Sequence, residues 1–150
     1  MGDLLTIGAE GAFVAMMLAA AFIDGCSFRL PNPLTAGVAL AFLPWALGRF
    51  DDPWLLLAHL AAGLVIMAVA ALAFARNILG GGDAKLLAAC ALWTGFDELS
   101  RFLVTTSLAG GVLALAVLCL RPAGESRRLP YGIAIAAGGL DFWLRNSAVL

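Results

Sequence analysis

Long apolar runs alternate with short polar breaks along the chain, at roughly 7–24, 33–48, 54–75, 84–96, 102–120 and 130–144. A helix that crosses a bilayer needs about 20 mostly apolar residues, within a range of about 17–25. The pattern predicts an all-α polytopic membrane protein, a bundle of about six transmembrane helices. The second, fourth and sixth runs are short and need adjoining interfacial residues to reach across. The fourth is the weakest span; it opens at Gly80-Gly81-Gly82 and also reads as a helix that starts inside the membrane. Six spans use about 120 residues, so residues 1–150 are expected to form a single integral-membrane domain.

The breaks carry their own signals. Pro31 and Pro33 interrupt the helix that follows Asp24. Asp51-Asp52-Pro53 is a turn that also starts the third span. Arg121-Pro122-Ala123-Gly124 closes the fifth. The first run resembles a secretory signal only superficially, because residues 1–23 hold Asp3 and Glu10 and no Lys or Arg. It also ends in Asp24 rather than in small residues, so it reads as a retained span.

Composition agrees with the pattern. The chain is 63% hydrophobic and 13% charged, whereas ordinary globular domains run near 45–50% apolar and about 25% charged. Its 17 glycines suit helices that pack closely in lipid. Three cysteines do not make a disulfide scaffold, and a net charge of -1 provides no basic face, so no nucleic-acid partner is expected.

Charge sets orientation. The loops after spans one, three and five hold Arg29, Arg76, Lys85, Arg121, Arg127 and Arg128, while the opposite ends hold Arg49, Arg101 and Arg145. The positive-inside rule places the richer side in the cytoplasm and both termini outside. On that orientation Asp3, Glu10, Asp51, Asp52, Asp97, Glu98 and Asp141 fall outside, and Asp24, Asp83 and Glu125 inside.

Asp24 and Asp83 are the candidates for chemistry. Asp24 ends the first span and Asp83 opens the fourth, so alternating spans put both at one depth under the cytoplasmic surface. Acids at membrane depth are costly and usually functional. Two carboxylates held close share a proton, because both cannot ionise easily. One then serves as base toward water while the other donates to the scissile carbonyl, as in aspartic proteases. Gly80, Gly81 and Gly82 permit unusual dihedrals and close approach of a substrate strand, although small residues also pack helices. A bland reading stands beside the functional one: each acid merely ends a helix. It suits Asp83, which the dipole favours at an N-terminus, but not Asp24 at a C-terminal end. A transporter or ion-binding protein is the rival from another class. It would call for carboxylates near the midplane and symmetric halves, and neither is seen.

Three segments carry a family resemblance. Asp24-Gly25-Cys26-Ser27-Phe28-Arg29-Leu30-Pro31-Asn32 resembles the first motif of the type IV prepilin peptidases: an aspartate, a basic residue, then an apolar residue with Pro-Asn. Gly80-Gly81-Gly82-Asp83-Ala84-Lys85-Leu86 resembles their second motif, the signature of GxGD membrane aspartyl proteases. Leu129-Pro130-Tyr131-Gly132-Ile133-Ala134-Ile135 resembles the start of the last span in small members serving Flp-type, tight-adherence pili. The resemblance implies an inner-membrane endopeptidase that removes the basic leader of prepilins at the cytoplasmic face. The cut falls just ahead of the hydrophobic segment, typically after glycine. Asp24 and Asp83 would be the catalytic dyad, with the base unassigned, and the partners a prepilin and the lipid bilayer. Larger members add a cytoplasmic region with paired cysteine motifs for zinc and an N-methylation activity. Cys26, Cys90 and Cys119 form no Cys-x-x-Cys, so cleavage without that region, with no zinc and no cofactor, is expected.

Other polar residues admit two readings each. Lys85 points about 200° round the helix from Asp83, and either contacts the dyad or snorkels to headgroups. Arg29 pairs with a substrate carboxylate or anchors the inner face. Asn32 shapes the turn behind Asp24 or hydrogen-bonds a carboxylate. His59 reads as packing near the outer end of span three. Trp45, Trp54, Trp93 and Trp143 mostly fit an outer aromatic belt, and the cysteines fit apolar packing.

Overall fold

The computed structural model describes residues 2–120 and 129–147. Five helices follow one another: α1 Gly2–Ser27, α2 Asn32–Arg49, α3 Pro53–Ala75, α4 Gly81–Leu120 and α5 Tyr131–Ser147. The protein is all-α, with a membrane-type distribution of apolar residues. The boundary at residues 121–124 and the charges Glu125, Arg127 and Arg128 lie outside the described residues.

Local sequence accounts for most helix starts. Pro31 stands before α2 in an extended conformation, with Pro33 in the first turn, where a missing N–H costs nothing. The Asp52 side chain caps α3 by accepting from the Trp54 amide at 2.9 Å. By length and composition α1, α3 and α4 can cross a membrane, while α2 and α5 are shorter, at 18 and 17 residues.

The fourth and fifth apolar runs are not separated by a polar loop. Both belong to α4, which breaks at Gly95 (φ 57, ψ -170). This conformation is essentially restricted to glycine, and it divides α4 into two helical segments, 81–94 and 96–120. Leu99 and Leu103, beyond the break, pack against the cluster of Ile66, Ala88 and Ala91, so the chain turns back there. Asp97 and Glu98 therefore lie in helix rather than in a loop, at a start where the dipole favours acids. His59 seals the break from α3, its Nδ1 2.7 Å from the Leu92 carbonyl oxygen.

The interior is aromatic. Trp93 is buried at ring-centroid distances of 4.4 Å from Phe13 and 5.1 Å from Trp45, and its indole N–H donates to the Val38 carbonyl at 2.9 Å. Trp45 and Trp93 are thus core residues rather than members of an interfacial belt, because their indole N–H groups find partners inside the bundle: Trp45 donates to Glu10. Trp54, 75% exposed, stands at the surface. Cys90 is buried, whereas Cys26 and Cys119 are exposed and do not serve core packing. Outside, large apolar side chains such as Leu108, Val112 and Leu115 are exposed, the inverse of a water-soluble surface.

In the packing, α1 lies against α2 and α5, and α4 lies against α2, α3 and α5. The backbones of consecutive helices α2 and α3 stay apart, and the two meet through side chains where Phe42 and Trp45 pack against His59, at ring-centroid distances of 5.8 and 6.0 Å. The gap between them, floored by α4, is an apolar groove of about 670 Å³.

Candidate active site

At one end of the bundle, the last turn of α1, the residues leading to α2 and the first turn of α4 enclose a cavity of about 270 Å³. Asp24, Phe28, Arg29, Leu30, Gly80, Gly81, Gly82 and Asp83 line it. Both acids, one from the end of α1 and one from the start of α4, line this one space. Six of the eight residues singled out from sequence gather here.

Asp24 is buried, at 3% exposure. Its position follows from how α1 ends: the Phe28 amide donates to the Asp24 carbonyl at 2.9 Å, with Phe28 left-handed at φ 53. A left-handed residue commonly stops a helix, but glycine is the usual occupant, and a bulky side chain there is strained. Such strain is characteristic of functional sites. The Asp24 carboxylate is held by the start of α5, where the Gly132 amide donates to Oδ2 at 2.7 Å. The first amides of a helix have no partner within it, so α5 supplies a donor without losing one of its own bonds. A Cβ at Gly132 would fall 2.8 Å from Oδ2 of Asp24.

Asp83 is placed by the opening of α4. The Ala84 amide donates to the Gly80 carbonyl at 2.9 Å, and the Gly80 amide donates to the Asp83 carboxylate, the reach-back arm of a capping box. A Cβ at Gly80 would fall 2.6 Å from Oδ2 of Asp83, and one at Gly82 would fall 2.9 Å from Cβ of Leu30. The glycine run therefore serves close approach. It does not use unusual dihedrals, since Gly95 is the positive-φ glycine among the described residues.

Lys85 and Asn32 fall outside this cavity. Lys85 Nζ donates to Asn32 Oδ1 at 2.8 Å, tying the first turn of α4 to the first residue of α2. Asn32 thus accepts from an ammonium rather than approaching a carboxylate, and both residues line the neighbouring groove. His59, at the far end of that groove beside Leu92, takes no part in the cavity.

The arrangement is suited to hydrolysis. Two acids across a small polar cavity can hold a water between them, and Arg29 at the rim adds a positive charge. Sequence reasoning left Gly132 and Phe28 without a role. For Gly132 the signal was Pro130, which marks a helix start and hence free amides; for Phe28 no local signal exists.

Comparison with known proteins bears on the family of the chain. The chain is 30% identical over 129 residues to a prepilin leader peptidase/N-methyltransferase of Aeromonas hydrophila, covering 83% of this chain and 44% of that protein. It is 32% identical over 156 residues to the protein of that name from Burkholderia pseudomallei (92% and 48%), and 28% identical over 143 residues to the one from Bacillus subtilis (92% and 56%). The chain thus spans about half the length of these curated relatives. No solved structure matches it. Residues 11–115, which include Asp24 and Asp83 and most of the helices that carry them, match the type IV leader peptidase family. On that match, and on relatives that align along most of its length, the chain belongs to the type IV leader peptidase family.

Proposed function

We propose that this protein is a membrane-embedded aspartic endopeptidase that removes the leader of type IV prepilins, of the Flp kind, at the cytoplasmic face of the inner membrane. The observation that carries this reading is the shared cavity: acids from α1 and α4 line one space of about 270 Å³. The names of the relatives support leader removal, and the two acids in the lining support the aspartic route.

In the reaction, one carboxylate takes a proton from a water held between the two acids. The water oxygen attacks the scissile carbonyl carbon, and the protonated partner hydrogen-bonds the carbonyl oxygen. Collapse of the tetrahedral intermediate breaks the C–N bond, and the departing amine takes up the proton that the first carboxylate drew from water. The Gly132 amide holds Asp24 and the Gly80 amide holds Asp83, so neither acid must be reoriented when substrate arrives. The basic charges of the connecting segments, Arg29 and Arg76 among them, favour placing this end in the cytoplasm and both termini outside.

The test is to reconstitute the protein with a candidate prepilin and measure the prepilin's N-terminus by mass spectrometry. Loss of the leader only when the protein is present supports the reading; an intact N-terminus across several Flp-type prepilins refutes it.

A further inference from the structure

We infer that the groove between α2, α3 and α4 is the seat of the substrate's apolar helix, the segment that follows the cleaved bond. The inference rests on the hydrolytic reading above and adds where the uncut part of the substrate lies. The groove opens beside the cavity, at the same end of α4: Leu30 lines the cavity and Asn32 the groove. Asp83 lines the cavity and Lys85 the groove, two residues and about 3 Å apart along one helix. From that end the groove follows α4 from Lys85 to Leu92, about 10 Å or two turns.

Its lining changes character along the way. The Lys85–Asn32 bond closes the end beside the dyad, and beyond it the surface is apolar, with Ala36, Ala39, Ala88 and Ala89 among the lining residues. Small side chains let a helix approach closely in lipid, where packing rather than hydrophobic burial drives association. Leu64 and Met67, 71% and 40% exposed, form the outer rim. A helix can therefore enter sideways from the bilayer with its polar leader still in water. A bond cut just ahead of an apolar segment demands such a layout: a polar cavity and, one helical turn away, an apolar trough at membrane depth.

The test uses the full chain in phosphatidylethanolamine/phosphatidylglycerol vesicles with two synthetic peptides. One carries a basic leader, a glycine and an apolar helix of about 20 residues; the other stops about six residues after the glycine. Ala36→Phe, which fills the groove from its wall, should raise the ratio of the long peptide's KM to the short peptide's at least tenfold. Leu108→Phe, on the lipid face of α4, should leave that ratio alone. An unchanged ratio in Ala36→Phe overturns the proposal. A photoreactive residue in place of Leu64, in the Asp83→Asn protein, should label the helix of the long peptide; labelling of lipid alone overturns it. Labelling of the peptide by a protein whose wild type cuts neither substrate would remove the hydrolytic reading and leave the seat standing.

Discussion

The amide of Gly132, at the start of α5, donates a 2.7 Å hydrogen bond to Oδ2 of Asp24, at the end of α1, across a separation of 108 positions. The bond joins a late helix to the earliest one at the point where the proposed chemistry occurs. A side chain on residue 132 would meet the same carboxylate, its Cβ 2.8 Å from Oδ2 and 3.0 Å from Cγ. Gly132→Ala is therefore expected to push Asp24 out of position and lower kcat at least tenfold on a cognate prepilin. Thermal melting in detergent should show the fold retained, with a loss of about 1–3 kcal/mol, as is usual for overpacking.

Replacing either acid should remove activity. Asp24→Asn and Asp83→Asn each keep the size of the side chain but lose the ability to exchange a proton with water. Each should lower leader removal more than a thousandfold, and the double variant should be no worse than either single one, because groups acting as a unit are not additive. Single-turnover kinetics on all three proteins measures this; substantial residual cleavage in one single variant would show that its acid is dispensable.

Gly95 holds the break in α4. It sits at φ 57, and a Cβ there would fall 2.6 Å from Nε2 of His59. Gly95→Ala should destabilise the protein by about 2–4 kcal/mol, combining backbone strain with displacement of the imidazole. Equilibrium unfolding in mixed micelles checks it. Because the break anchors the segment that carries Asp83 in its first turn, activity should fall along with stability.

A mechanism in which carboxylates activate water predicts indifference to chelators. Millimolar EDTA should leave the rate of leader removal within a factor of two of the untreated rate. A strong loss, restored by adding a divalent ion, would assign the activation of water to a metal instead.

Much of this architecture is legible along the chain. All six apolar runs are helical, and the Asp52-Pro53 start of α3 is local chemistry that needs no partner. Asp24 and Asp83 could be singled out because an acid at membrane depth is improbable without a use. The break between the fourth and fifth runs was harder to read. Asp97 and Glu98 have the composition of a loop, yet a single glycine makes the turn and leaves both in helix. Trp45 and Trp93 were misplaced for a similar reason: an indole suits an interface or a core equally, and only the available acceptors distinguish them.

Sequence by itself determined the helices, their apolar faces and the two acids, because these follow from residue-by-residue preferences for lipid, water and backbone conformation. Tertiary structure alone decided that Gly132 holds Asp24, that Asn32 takes Lys85 as its partner, and that α2 and α3 part to leave a groove beside the cavity. Those outcomes depend on which helix surfaces meet and at what separation, a property of the packed bundle that no short stretch of chain encodes.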